Sequence, residues 1–65
     1  MKQKRYDLAV FINRVQIAQI CIDIDLTNDN IFTRAKVIMK AITDDKLAYV
    51  RVYSEGQFEF EKFND

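Results

Sequence analysis

The sequence predicts a small α+β domain of order ββαββ. Three observations carry that prediction. From Val15 to Leu26 apolar and polar residues alternate, as in a strand with one buried face. From Ile31 the apolar residues recur at Ile31, Ala35, Ile38 and Ile42, as along one side of a helix. After the helix, Leu47–Tyr53 and Gln57–Phe63 flank a Ser54-Glu55-Gly56 turn signal, as in a hairpin.

The first strand is expected over Arg5–Ile12. Its stretch Leu8-Ala9-Val10-Phe11-Ile12 is apolar on both faces, which suits a central strand. Asn13-Arg14 is the expected turn, because Asn tolerates positive φ. The second strand, Val15–Leu26, changes phase partway. Val15 and Ile17 are odd, whereas Ile20, Ile22, Ile24 and Leu26 are even. Two registers explain this. A three-residue loop pairs Ile12 with Gln16 and leaves Phe11, Ile17 and Cys21 away from the core. A two-residue turn pairs Ile12 with Val15, and a bulge near Ala18-Gln19 restores the phase. Both set Leu8 opposite Ile20, and the sequence does not choose between them.

The helix is expected from about Asp29 to Asp44. Thr27, Asn28 and Asn30 are good caps, and Asp29 suits the positive N-terminal end. Phe32, Met39 and Ala41 widen the apolar stripe, and Arg34, Lys36, Lys40 and Thr43 lie outside it. Asp44 and Asp45 oppose the dipole at the other end, which helps to stop the helix without Gly or Pro.

In the second hairpin, side-chain parity favours a three-residue loop. It sets Val52 opposite Phe58, Val50 opposite Phe60 and Arg51 opposite Glu59, pairing like with like. The third loop residue must then be left-handed, and it is Gly56, the only glycine. A type I turn with a glycine bulge follows.

A right-handed crossover through the helix makes strands two and three parallel in direction. With strand one between them, the sheet is four-stranded and antiparallel, in the order 2-1-3-4. The helix then covers one face, packing on Tyr6, Leu8, Val10, Ile20, Ile22, Ile24, Val50, Val52, Phe58 and Phe60.

Composition bounds the function. The 65 residues form one domain, 1–65. A domain of this size buries only about 60% of its unfolded surface and is marginal alone. A single cysteine, Cys21, rules out an internal disulfide, and the absence of His removes the usual zinc spacings. Ten basic and ten acidic side chains give zero net charge, unlike the basic excess of a duplex-binding protein. No apolar run is long enough to span a membrane, and no secretory signal is visible. A cytoplasmic location is therefore expected, in the host cell if the gene is phage-borne. The richness in Ile, Lys, Asn, Asp and Phe, without Pro, Trp or His, suits an AT-rich gene of a phage or other mobile element.

Catalytic groups are sparse. Asp23, Asp25 and Asp29 offer hard oxygen ligands for a cation, but the EF-hand pattern fails: its glycine is missing and Arg34 stands at the twelfth position from Asp23. A solvated strand end and helix cap explain them better. Cys21 has no His to act as its base, so a small packing residue is the simpler reading. Ser54 lies in a turn without an elbow motif. No enzyme activity, cofactor or metal is expected.

Two surfaces remain. The uncovered sheet face should carry Phe11, Tyr49, Arg51, Tyr53, Glu59 and Glu61. Tyr and Arg are typical interface anchors, so this face is the expected partner-binding surface. The alternative is a nucleic-acid face on the helix, from Arg34, Lys36 and Lys40. Its aromatic partners would lie on the opposite layer among Glu59 and Glu61, so nucleic acid is disfavoured. The long strand two, at a sheet edge, also invites pairing with a second copy into a homodimer.

Lys40-Ala41-Ile42-Thr43-Asp44-Asp45-Lys46, leaving the helix and entering a strand, resembles the helix end of the small Dmd-type antitoxins of T4-like phages. The resemblance covers these seven residues, and no family functional residue carries over. It implies a small phage-encoded protein that binds and neutralises a host protein. The expected function is thus stoichiometric protein binding, as an inhibitor or antitoxin-like factor directed at a host or defence protein.

Overall fold

A computed structural model describes residues 2–65. The elements are β1 (Gln3–Ile12), β2 (Val15–Asp25), α1 (Ile31–Ile42), β3 (Tyr49–Ser54) and β4 (Gln57–Phe63). The four strands form one antiparallel sheet in the order β2-β1-β3-β4, as the sequence predicts. β1 begins two residues earlier than expected, and α1 is shorter at both ends.

The first hairpin takes the two-residue turn. Ile12 pairs with Val15, and Asn13 and Arg14 both have positive φ, 53° and 68°. That is the mirror-image turn whose twist matches the flanking strands. Phe11 pairs with Gln16 and Val10 with Ala18, so Ile17 is the extra residue of a bulge. The bulge sits just ahead of the expected Ala18-Gln19. It converts the odd phase of Val15 into the even phase of Ala18, Ile20, Ile22 and Ile24. These four pair with Val10, Leu8, Tyr6 and Lys4.

The second hairpin differs from the sequence expectation. Ser54 pairs with Gln57, leaving a two-residue turn of Glu55 and Gly56, with φ of 54° and 79°. Tyr53 pairs with Phe58 and Val52 with Phe60, so Glu59 is bulged out. Arg51 therefore faces Glu61 rather than Glu59, and Val50 faces Lys62 rather than Phe60. Phe58 leaves the helix side for the open face. Val52 and Arg51 keep like partners, Phe60 and Glu61, but a bulge inside β4 supplies the shift that the longer loop was expected to supply. A left-handed Gly56 suits either turn, so the glycine could not separate them.

Asn30 caps α1. Its Oδ1 accepts the Phe32 N–H at 2.8 Å, and its own N–H donates to the Asp29 carboxylate at 2.8 Å. Thr43 ends the helix in extended backbone at φ −154°, with its N–H still donating to the Met39 carbonyl. Asp44 and Asp45 thus lie just beyond the helix, where the Asp45 carboxylate accepts the Leu47 N–H at 2.9 Å. Ile31, Ala35 and Met39 are buried and Ile38 is partly so, whereas Ile42 and Phe32 are more exposed than the stripe suggests.

The core lies between α1 and the sheet. Leu8, Val10, Ile24, Met39, Val50 and Val52 are its largest fully buried side chains. Burying each is worth about 1.5–3 kcal/mol. The C-terminus is sewn to the loop after the helix. Asn64 is buried, and its Nδ2 donates to the carbonyls of Thr43 and Asp45 at 3.0 and 3.1 Å. Its backbone N–H donates to Ala48.

Candidate protein-binding face

A single helix covers one side of a sheet and leaves the other side open. On β1 and β3 the odd residues face this open side, because Leu8, Val10, Val50 and Val52 fill the core. Register then assembles the surface. Phe11 stands opposite Tyr49, and Tyr49 opposite Phe63. Their rings form a row across three strands: Phe11 and Tyr49 stack at 5.1 Å and 9°, and Tyr49 meets Phe63 at 5.5 Å. Two residues along β3, Arg51 is held between β1 and β4. Its guanidinium lies 5.1 Å from the centre of the Phe58 ring, and its Nε is 3.4 Å from the Glu61 carboxylate. That ion pair lacks hydrogen-bond geometry, and the buried Nε has no acceptor. Tyr53 closes the patch, edge-on to Phe58 at 5.7 Å.

The structure therefore brings together Phe11, Tyr49, Arg51, Tyr53 and Glu61 of the expected surface. Glu59 is exposed at the β4 bulge instead of standing opposite Arg51. Two aromatics were missed, Phe58 and Phe63, each 51% exposed. Phe58 was assigned to the wrong face by the wrong loop length. Phe63 was readable: it shares the odd parity of Glu59 and Glu61, which the expected register already places on this face. Five of the eight aromatic residues share this one face, which makes it more than scattered exposed rings.

Towards β2 the face becomes polar. Arg5 donates from Nε to the Asp23 carboxylate at 3.0 Å and from a terminal nitrogen at 3.3 Å. This hydrogen bond raises the Arg5 pKa and lowers that of Asp23. Cys21 stands opposite Asp7, and hydrogen bonding to Asp7, followed by desolvation, pushes its thiol up from its ordinary value. A shift in that direction is the reverse of what a nucleophile needs.

The alternative basic surface is dispersed. Arg34 pairs with Asp29 at 3.5 Å, and Lys36 donates to the Asp65 carbonyl at 2.7 Å. Lys40 is exposed in the last turn of α1. Phe32, the ring next to these cations on the helix, packs at 4.5 Å on Phe60.

No family model, curated protein or solved structure matches this chain.

Among the described residues, no three His, Cys, Asp or Glu side chains gather as a metal site, and no pocket forms. No described helix is long and apolar enough to cross a membrane. What the surface offers is a flat aromatic patch of the kind a protein contact uses.

Proposed function

We propose that this protein acts by stoichiometric binding of another protein through the open sheet face. One observation carries the reading: the Phe11–Tyr49–Phe63 row, continued through Arg51, Phe58 and Tyr53, lies on the side of the sheet that the chain does not cover. Aromatic rings and Arg are the side chains that most often dominate binding energy. Asp7, Asp23, Glu59 and Glu61 outnumber Arg5 and Arg51 on and beside this face. It therefore suits an apolar patch bordered by Lys or Arg and repels nucleic-acid phosphates. The form we favour is a phage or mobile-element inhibitor that neutralises a host or defence protein. The AT-rich composition and the Lys40–Lys46 resemblance support it.

The test is quantitative binding to a partner recovered from a plausible host. The wild-type chain should bind it at a fixed ratio, with little loss on raising salt. Tyr49→Ala/Tyr53→Ala should weaken binding by about thirty-fold or more, the cost of a central anchor. Lys36→Ala/Lys40→Ala should not. Intact binding by a folded Tyr49→Ala/Tyr53→Ala variant sinks the reading. A steep salt dependence that the lysine variant abolishes would instead favour the nucleic-acid alternative.

A further inference from the structure

The two edges of the sheet are built differently. The outer edge, β4, carries Glu59, Glu61 and Lys62 and a bulge at Glu59. Such features discourage strand addition. The other edge, β2, has eleven residues with no Lys, Arg, Pro or Gly. Its one bulge, at Ile17, lies near the turn, so Ala18–Asp25 pairs regularly with β1. The charged side chains of that stretch are Asp23, paired with Arg5, and Asp25, held by the Thr27 N–H and the Asn28 amide, so neither is a free charge guarding the edge.

The ladder fixes which backbone groups point outward. A two-residue turn makes Ile12 and Val15 a bonded pair. At the other end Leu26 donates its N–H to the Lys2 carbonyl at 2.8 Å. Even residues of Ala18–Leu26 thus bond to β1, and the odd ones turn outward; at Asp25 the carbonyl already accepts the Asn28 and Asp29 N–H groups, which leaves Gln19, Cys21 and Asp23 with both N–H and C=O free.

These three residues are centred on Cys21, and this centring selects a register. If β2 of a second copy runs antiparallel with Cys21 opposite Cys21, every N–H and C=O of these three residues is used. Gln19 then faces Asp23 of the other copy, twice by symmetry, so an amide donor meets a carboxylate. On the helix side, Ile20 faces Ile22, also twice. Shifting the register sets Asp23 opposite Ile17 or Cys21; in the second case Gln19 meets Asp25, whose carboxylate already accepts the Thr27 N–H and the Asn28 amide. Ile20 and Ile22 are only half-buried within one chain, so they have surface left to bury.

We propose that β2 pairs with β2 of a second copy about a two-fold axis at Cys21, forming a continuous eight-stranded sheet. The axis runs perpendicular to the sheet. Both helices then lie on one side and both aromatic faces on the other, displayed as a pair. This inference stands on the edge alone and does not depend on what the aromatic face binds.

Sedimentation equilibrium of the full chain should give twice the single-chain mass of 7.7 kDa. Gln19→Glu should weaken the dimer several-fold, because two like-charge pairs replace two hydrogen bonds. Gln19→Lys should tighten it, because each Lys meets Asp23. Both changes are on an exposed side chain, so folding should survive, and circular dichroism checks this. A nitroxide on the native Cys21 should show strong dipolar broadening that dilution into unlabelled protein removes. Tyr49→Ala/Tyr53→Ala should leave the mass unchanged, which separates this result from partner binding. A single-chain mass at millimolar concentration overturns the proposal. So does a dimer indifferent to both Gln19 variants, or a labelled dimer without broadening.

Discussion

At the scale of single residues, Asn64 does more for the fold than its position suggests. It is the next-to-last residue of the sequence, polar, and buried to 3% exposure. Its amide binds two carbonyls of the loop between α1 and β3, which no strand or helix partner would satisfy. Its Oδ1 is buried without a partner, a cost that the two donated bonds must outweigh. Asn64→Ala removes both bonds, leaving the Thr43 carbonyl short of a donor and the Asp45 carbonyl with the Ala48 N–H alone. The expected loss is about 1–3 kcal/mol, read from denaturant unfolding against the parent. Nothing in the sequence marks Asn64, because a tertiary bond to a loop has no periodicity. Arg51 is a second such case. Its identity and face were readable, but its position beneath Phe58 followed from a register that was not.

At the scale of elements, the two hairpins share one construction. Each closes with a two-residue mirror-image turn and each carries a bulge that resets the alternation. The sequence displays the first bulge, because Val15 and Ala18 fall on opposite parities and something must absorb the difference. It hides the second. In Gln57-Phe58-Glu59-Phe60-Glu61 the alternation is unbroken, so an extra residue leaves no trace, and a longer loop explains the pairing equally well. Strand order was legible for a physical reason: Leu8–Ile12 is apolar on both faces, and only a strand with neighbours on both sides meets that need. Helix ends were less so, since Thr27, Asn28 and Asn30 can all cap, and only the extended φ of Asn30 shows which one does. The turn itself remains testable. Gly56 has φ +79° and open space around its Cα, so a larger side chain meets backbone strain and no clash. Gly56→Val should cost about 1–2 kcal/mol, visible as a lower thermal midpoint. An unchanged midpoint would mean that residue 56 is not left-handed in solution.

At the scale of the whole molecule, the fold is a single layer of sheet under a single helix, 37 × 22 × 15 Å in extent. Such a slab buries one side of its sheet well and the other hardly at all. The chain has no disulfide to offset its marginal size, since Cys21 stands alone. Two surfaces are left for association, the aromatic face and the β2 edge, and they lie at right angles, so both can be occupied together. Pairing through β2 adds stability by mass action, because only folded chains present the edge. The thermal midpoint of the wild-type chain should then rise with protein concentration. Each tenfold increase contributes about 1.4 kcal/mol per dimer. At about 2.1 cal/mol/K per residue over both chains, that is roughly 5 °C. Gln19→Glu should flatten the dependence, because its chains unfold as monomers over more of the range. Scanning calorimetry over two decades of concentration reads both slopes. A midpoint independent of concentration would mean that the slab is stable as one chain and that the open β2 edge contributes nothing to holding it folded.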